Sequence, residues 1–411
     1  MRILHAADIH LDSPLSGLIA RAGGQVGDLT TATRRAFTAM IDYALEAGVD
    51  LVLIAGDLYD GDWRDFSTGL FFLSQMARLE RQGIRVAVVQ GNHDAENRMT
   101  RSLRWPPTVK VFRSDRAETW IPEGLEVAIH GRSFPRRDVT EDLSAGYPPP
   151  VAGLFNIGLL HTAADGRLGH TPYAPCDVPT LVGKGYDYWA LGHVHGRAIL
   201  HERPWVVFPG NLQARHVNEP GAKGATLLTI DGGEVTALEA LAFDVLRWVR
   251  LEVDLGGCAS PQQAYGRIET ALAEALTQAE GRALAVRLTL SGATAVHDLL
   301  AGDPERTTAE CLALTERAGG EVWLEKVAVA TTPPRQDGAP AADELFAVIA
   351  RILETPEERA VLRADLEQAL TRVPPTIRQA AGLTPLDEQA LAGLLAAAEA
   401  TLRRRLLDSP E

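Results

Sequence analysis

The stretch Gly91-Asn92-His93-Asp94 stands directly after the short apolar segment at residues 85–89. From average residue usage, a literal copy of this stretch is expected by chance in on the order of one in a thousand chains of this length. An apolar segment that ends in amide, imidazole and carboxylate groups is typical of a buried strand in an open α/β sheet, whose ligands bind at the carboxyl ends of the strands. The stretch therefore predicts an α/β fold with a polar site at one edge of a sheet.

Polar side chains follow other apolar segments in the same way. These groups are Asp8-Ile9-His10 after residues 3–7, Gly56-Asp57-Leu58-Tyr59-Asp60 after 51–55, His161 after 155–160, and Gly192-His193-Val194-His195 after 188–191. Together they offer the mixed oxygen and nitrogen ligands that suit Mn, Fe or Zn. Residues i and i+2 of a strand share a face. Asp8 with His10, and His193 with His195, are therefore each expected to point two side chains into one cleft if strand geometry persists. The glycines at positions 56, 91 and 192 are expected to let the backbone turn sharply there.

The first 240 residues alternate apolar segments with amphipathic stretches, which predicts a sheet covered by helices on both faces. Strands are predicted at residues 3–7, 51–55, 85–89, 126–130, 155–160, 188–191, 205–208 and 225–230. Helices are predicted at residues 32–47 and 66–82. Each of these helices is followed by a glycine, Gly48 or Gly83, the residue that helix C-termini prefer.

Later segments predict a small β-α-β-α-β domain and a helical tail. The predicted order is strand 248–255, helix 261–280, strand 284–290, helix 304–317 and strand 321–329, then a Pro- and Gly-containing linker at 331–342 and helices at 343–354, 356–372 and 385–407. We therefore expect three parts: residues 1–243 with the polar site, an α+β domain at 244–332, and a linker with helical tail at 333–411.

Composition limits the class of protein. With 411 residues the chain exceeds one hydrophobic core, and 46% hydrophobic with 23% charged residues is ordinary for a globular protein. Its longest apolar runs fall short of the ~18 residues that a membrane span needs, and no signal peptide is visible, which predicts a cytoplasmic protein without membrane contact. The three cysteines, Cys176, Cys258 and Cys311, are expected to be reduced.

The motif order D-x-H, GD, GNH[D/E], H and GHxH resembles that of the calcineurin-like metallophosphoesterases. The resemblance implies a two-sheet α/β sandwich that holds two divalent ions at the strand ends, with Mn²⁺ expected and Fe, Zn or Mg as alternatives. It implies Asp57 as the carboxylate that bridges both ions. It further implies two ligand sets, namely Asp8, His10 and His195 for one ion and Asn92, His161 and His193 for the other.

The same resemblance implies a catalytic pair. His93 corresponds to a histidine that contacts the reacting phosphate or protonates the leaving oxygen, and Asp60 to an acid that orients it. Arg215 and His216 follow a predicted strand end, where we expect them to contact the substrate phosphate.

Three further stretches, at residues 5–14, 185–195 and 209–216, are similar to the DNA repair exonuclease branch of this family. That branch comprises the nuclease subunit of the SbcCD complex and the YhaO-type proteins, and the similarity is specific over about residues 1–225. It implies DNA as the substrate, a capping domain after the catalytic one, and C-terminal helices that dock on an SbcC-like or YhaN-like coiled-coil ATPase. A homodimer is a further expectation.

A local excess of basic residues agrees with a DNA substrate although the net charge is -14. The stretch at 98–116 holds one acid, Asp115, against the basic residues Arg98, Arg101, Arg104, Lys110, Arg113 and Arg116. A second basic cluster comprises Arg132, Arg136 and Arg137, and Trp105 could offer a face for base stacking. The alternative is an ordinary solvated basic surface.

Two other functions stay open. The overall acidity and the 6% aromatic content suit a phosphodiesterase or phosphatase for a small nucleotide or a phosphoprotein. A catalytically silent scaffold of an ATPase complex is the third hypothesis, and the intact set of candidate ligands argues against it.

Overall fold

The computed structural model describes the chain except at residues 16–17, 19–26, 61–65, 96–103, 165–172, 320, 335–339, 354, 375–377, 379–382, 384–385 and 408–411. In the described part, the chain divides into two compact units. One comprises Met1–Arg250, Leu276–Val286 and Gly320–Glu325, and the other Leu251–Ala275, Arg287–Gly319 and Lys326–Glu411. The predicted boundaries after residues 243 and 332 stay predictions.

The strands form where short apolar runs are buried. Their bounds are β1 Arg2–Ala6, β2 Leu51–Ala55, β3 Arg85–Val89, β4 Val109–Val111, β5 Glu118–Trp120, β6 Val127–Gly131, β7 Phe155–His161, β8 Tyr188–Gly192, β9 Ala198–Glu202, β10 Trp205–Phe208, β11 Gly224–Asp231, β12 Glu234–Ala242, β13 Leu246–Asp254, β14 Ala283–Ala293 and β15 Val322–Thr332. Every residue of β2, β7 and β8 is buried, as expected for central strands covered on both faces.

Two six-stranded sheets make up the first unit. The strand order is β12-β11-β1-β2-β3-β4 in one sheet and β5-β6-β7-β8-β10-β9 in the other. Within them, β1 to β4 run parallel, and so do β6, β7, β8 and β10. Antiparallel strands lie at the margins, so the carboxyl ends of the central parallel strands meet at one edge of each sheet.

The two sheets pack face to face. Ile3, Leu53 and Val89 of the first sheet share a buried cluster with Ile129 and Ile157 of the second. The first sheet packs its opposite face on helices, and the second packs its own opposite face on loops and one short helix. The two-sheet α/β sandwich is therefore confirmed. The expectation of a single sheet with helices on both faces was wrong, because a second sheet buries an apolar face as well as helices do.

Amphipathic segments form the helices. Their bounds are α1 Gly27–Thr30, α2 Ala32–Glu46, α3 Phe66–Arg81, α4 Asn92–Ala95, α5 Val178–Gly183, α6 Pro261–Gln278, α7 His297–Gly302, α8 Pro304–Arg317, α9 Pro340–Leu353, α10 Pro356–Leu370 and α11 Glu388–Leu407. Gly48 and Gly83 follow α2 and α3 with φ of 59° and 71°, so the predicted glycine termini are confirmed.

The later part of the chain follows the predicted order with one addition. Strands β13, β14 and β15 form a three-stranded sheet in that order, and α7 precedes α8 between the second and third strands. Among the described helices, none combines the length and the hydropathy that a membrane crossing requires.

Candidate metal centre

The candidate ligands lie at or just after the carboxyl ends of β1, β2, β3, β7 and β8. The loop after β1 is hydrogen-bonded to the loop after β2: the Asp8 amide donates to the Gly56 carbonyl at 3.0 Å and the His10 amide to the Asp57 carbonyl at 3.0 Å. In the second sheet, His161 ends β7 and pairs with Gly192, which ends β8. The sheet order therefore brings residues far apart in sequence to one edge.

The backbone at these loops is left-handed at several non-glycine residues. The φ angles are 49° at Asp8, 44° at His10, 50° at Asp57 and 107° at His193. Such conformations cost on the order of 1–3 kcal/mol each and cluster at functional sites. The strand geometry on which the predicted alignment of the ligand pairs depended does not persist at these residues. The turns after β1 and β8, fixed by hydrogen bonds between loops, bring the side chains together instead.

One group of ligand atoms comes from Asp8, His10 and His195, whose donor atoms all lie within 4.8 Å of one another. The Nε2 atoms of His10 and His195 are 3.3 Å apart, and His195 Nε2 is 4.0 Å from Asp8 Oδ1. Separations of about 3 to 3.5 Å are those of two ligands that each lie ~2.1 Å from a shared ion. The Asp8 carboxylate also accepts the His193 amide at 2.9 Å, which fixes its orientation.

A second group comprises Asp57, His161 and His193, and Asn92 lies beside it. His161 Nε2 is 3.0 Å from Asn92 Oδ1 and 3.5 Å from Asp57 Oδ2. Asp57 Oδ2 is also 3.9 Å from His10 Nε2, so this carboxylate lies between the two groups. Asp57 is therefore placed to offer a carboxylate oxygen to both groups.

Burial makes this set of residues suited to a cation. It raises the pKa of Asp8 well above its ordinary value and raises that of Asp57 to about 6. Burial also lowers the pKa of His161 to about 3 and that of His10 well below its ordinary value, which keeps both imidazoles neutral. Neutral imidazoles beside buried carboxylates are the groups that a divalent ion stabilises. The residues therefore fit two divalent ions.

Asp60 and His93 lie beside the first group. Asp60 Oδ1 is 3.5 Å from His93 Nδ1 and 3.4 Å from His10 Nδ1, while Asp60 Oδ2 accepts the Ser13 hydroxyl at 2.7 Å. Burial alone would raise the pKa of Asp60, but His10, Ser13 and Arg215 outweigh it and hold that pKa well below its ordinary value. Asp60 is therefore an anion that contacts two histidines. His10, Asp60 and His93 also satisfy the distance requirement for a metal group, which makes a ligand role for His93 the alternative to a catalytic one.

The two residues predicted to bind substrate differ in position. Arg215 is 16% exposed at its side chain, and its Nη1 donates to Asp60 Oδ1 at 3.2 Å. His216 is 54% exposed, and its Nε2 is 3.2 Å from Glu219 Oε1. The structure thus brings Arg215 into the candidate centre and leaves His216 at its rim.

Two acidic residues outside the predicted ligand and catalytic sets organise the centre. Asp94 accepts the amides of Leu58, Tyr59 and Gly91 at 3.2, 3.0 and 2.9 Å, which ties the loop after β2 to the loop after β3. Burial and the charge of Asp57 raise the pKa of Asp94 to about 7. Asp94 belongs to the Gly-Asn-His-Asp stretch, which was a usable signal. Glu219, 2.6 Å from His195 Nδ1, has no sequence signal of its own.

The basic stretch is less available for substrate than its composition suggested. Lys110 pairs with Glu118 at 2.9 Å, Arg113 with Asp115 at 2.8 Å, and Arg136 with Glu141 at 2.8 Å. Arg104 and Arg116 are exposed, whereas Arg98 and Arg101 lie outside the described residues.

Trp105 is partly buried, and its predicted role in base stacking stays a prediction. Its ring packs edge-on against Phe72, with 5.5 Å between centroids, at the apolar cluster under the first sheet. An aromatic side chain next to a core is stabilised more by burial than by exposure to solvent.

Comparison with known proteins gives two family matches and several relatives. Residues 1–197 match the calcineurin-like phosphoesterase family, and residues 248–332 match the middle domain of metallophosphoesterase YhaO. The chain is 37% identical to the uncharacterized metallophosphoesterase YhaO of Bacillus subtilis over 331 residues, 79% of this chain and 80% of that protein.

More distant similarity links the chain to DNA double-strand break repair proteins named Mre11. The protein from Methanopyrus kandleri is 25% identical over 210 residues, 47% of this chain and 44% of that protein. The one from Aeropyrum pernix is 24% identical over 296 residues, 65% of this chain and 66% of that protein.

Proposed function

The chain belongs to the calcineurin-like metallophosphoesterase family, and from this premise we propose that it is a Mn²⁺-dependent DNA nuclease that hydrolyses phosphodiester bonds by a two-metal mechanism. The observation that supports it most is the convergence of candidate ligands from both sheets on two adjacent groups. We assign one ion to Asp8, His10 and His195, the other to Asn92, His161 and His193, and the bridging position to Asp57.

Each group of residues has a distinct task in this mechanism. Water attacks the phosphorus in line with the leaving oxygen; when bound, two divalent ions would lower the pKa of this water, polarise the phosphoryl oxygens and neutralise the charge that develops. His93, 28% exposed beside the centre, donates a proton to the leaving oxygen. Asp60, as an anion 3.5 Å from His93 Nδ1, orients that ring, and Arg215 offers its guanidinium to the substrate phosphate.

The choice of DNA rests on the relatives and on local charge. The relatives named Mre11 are described as DNA double-strand break repair proteins, and they share 24–25% identity with 47–65% of this chain. Arg104 and Arg116 are exposed on the stretch that follows the Gly-Asn-His-Asp turn. Exposed cations suit a polyanionic substrate.

A coiled-coil ATPase is the proposed partner, and the helical tail its docking element. In α9, Leu345 and Val348 are 47% and 46% exposed, whereas Phe346 is 5% exposed. A helix that buries one apolar face and exposes further apolar side chains suits helix-to-helix recognition by another chain.

A small phosphodiester is the second candidate substrate. Three basic residues of the predicted DNA-binding rim, Lys110, Arg113 and Arg136, are paired with acids. Paired cations contribute less to phosphate binding than unpaired ones do.

One assay separates these functions. Purified protein with Mn²⁺ is incubated with labelled single- and double-stranded DNA and, in parallel, with a small aryl phosphodiester. DNA cleavage that EDTA abolishes supports the nuclease. Cleavage of the small ester alone contradicts the DNA substrate, and cleavage of neither substrate supports the silent scaffold.

Metal addition is expected to stabilise the chain. At a free Mn²⁺ concentration of 100 times the dissociation constant, each site adds about 2.7 kcal/mol to the free energy of unfolding. Calorimetry should show a higher thermal midpoint with Mn²⁺ and a return to the lower one with excess EDTA. The Asp57→Asn variant should lose most of the shift, and an unchanged shift in that variant would count against a bridging role.

A further inference from the structure

Glu219 is a buried carboxylate that contacts the candidate centre from outside the predicted ligands. Its side chain is 5% exposed, and its Oε1 lies 2.6 Å from His195 Nδ1 and 3.2 Å from His216 Nε2. His195 thus has one ring nitrogen on Glu219, while its other nitrogen, Nε2, lies 3.3 Å from His10 Nε2. Glu219 is therefore placed to act on a candidate ligand without touching the ion.

The second oxygen of Glu219 accepts hydrogen bonds from two N–H donors. Oε2 accepts the Asn211 side-chain amide at 2.8 Å and the Arg215 backbone amide at 2.8 Å. Ala214 lies between Asn211 and Arg215 in the chain, and its carbonyl accepts a hydrogen bond from Trp248 Nε1 at 3.2 Å. Because the Asn211 side-chain amide and the Arg215 backbone amide are both N–H donors, Oε2 of Glu219 is an acceptor.

We propose that Glu219 is a positioning residue that fixes the tautomer of His195 and thereby the affinity of the ion at Asp8, His10 and His195. The Nδ1–H of His195 donates to Glu219, which leaves the Nε2 lone pair as the ligand atom. This role rests on the proposed two-metal function.

The two ion positions then differ in their supporting partners. His161, assigned to the other ion, has its Nδ1 2.9 Å from the Ala55 carbonyl, a neutral group. A carboxylate partner raises the basicity of an imidazole ligand more than a carbonyl does. Removal of the Glu219 charge is therefore expected to weaken one ion and spare the other.

Glu219→Gln tests the tautomer directly. A glutamine amide has one oxygen and one NH₂ group, and the two N–H donors from Asn211 and Arg215 select the oxygen. The NH₂ group then faces His195 Nδ1, which must become an acceptor, so the ring proton moves to Nε2 and blocks the ligand atom.

The readouts are Mn²⁺ titration calorimetry and ¹⁵N-histidine NMR of the metal-free protein. Wild type should bind two ions, and Glu219→Gln should bind one of them roughly 10- to 100-fold more weakly and the other unchanged. In NMR, wild-type His195 should be protonated at Nδ1 and the variant at Nε2, with the signals assigned through His195→Gln.

Asp244→Asn is the matched control, because Asp244 is a buried carboxylate paired with Arg247 and Arg282. Equal affinity for both ions in wild type and Glu219→Gln would overturn the proposal, and so would the same loss in Asp244→Asn. Wild-type protein without Mn²⁺ binding would instead contradict the two-metal function. A wild-type His195 protonated at Nε2 would overturn the Glu219 role even if the variant failed to fold.

Discussion

Replacement of His93 by alanine is expected to lower the rate of DNA hydrolysis by ~10²- to 10⁴-fold, the usual contribution of a positioned general acid, while both ions stay bound. The His93 ring lies at the margin of the centre, 3.5 Å from Asp60 Oδ1, and its side chain is 28% exposed. Its backbone amide donates to Asp57 Oδ1 at 3.0 Å, a contact that alanine retains. Loss of the imidazole therefore removes the proton donor and leaves the framework of the ligands.

The leaving group provides the decisive measurement. An aryl phosphodiester with a good leaving group needs little protonation, so His93→Ala should slow its hydrolysis far less than that of DNA. Titration calorimetry should still detect two ions. Loss of one ion in this variant would favour the alternative group of His10, Asp60 and His93 as ligands. His201→Ala, which removes an imidazole from β9, is the control and should match wild type.

The parts of the fold that could be predicted from the sequence are those where burial is continuous. β2, β3 and β10 have the predicted bounds because these strands are largely buried, so their runs are apolar apart from Arg85 at the start of β3. β5 and β9 were missed because they lie at the edges of their sheet and keep partly exposed, polar residues. Edge strands do not show the apolar run that marks a central strand.

The candidate centre was predictable as a set of residues but not as a geometry. Parallel strands bring their carboxyl ends together, so residues such as Asp8 and His193, far apart in sequence, were expected to meet. Their roles as ligands stay predictions. The left-handed turns and the contact of Glu219 with His195 depend on hydrogen bonds between loops, which no local pattern encodes.

Pairing of charges was also beyond the sequence. Lys110 lies on β4 and Glu118 on β5, and the 2.9 Å contact between their side chains follows from the fold. A count of basic residues along the chain therefore overstated the positive charge available to DNA.

The structural roles of Gly56, Gly91 and Gly192 at the candidate centre also could not be told apart from the sequence. Gly56 has φ of 89°, so it makes the expected turn. Gly91 and Gly192 serve close approach instead: a Cβ at Gly91 would overlap Asp57 Oδ1, and one at Gly192 would overlap the carbonyl oxygen of Ala55. The sequence marks a glycine but does not tell which of its two properties is used.

Gly192→Ala is accordingly expected to lower the free energy of unfolding by about 3 kcal/mol or more, the upper range for overpacking, because the obstructing atom belongs to a central strand. The added methyl would also lie 3.0 Å from the Ala7 side chain, so the first sheet obstructs it at two points. The Ala55 carbonyl is the partner of His161 Nδ1 at 2.9 Å, and its displacement should therefore weaken the ion assigned to His161 as well.

Chemical denaturation and Mn²⁺ titration of the intact chain measure both effects of Gly192→Ala. Gly196→Ala is the matched control, since Gly196 is exposed, lies in the same loop region and has no atom within 4 Å of an added Cβ. The control should change stability by less than about 0.5 kcal/mol, as surface substitutions usually do. Equal stability and equal Mn²⁺ affinity in the two variants would show that the sheets tolerate a wider separation at this edge, and the close approach at Gly192 would then have no role in shaping the centre.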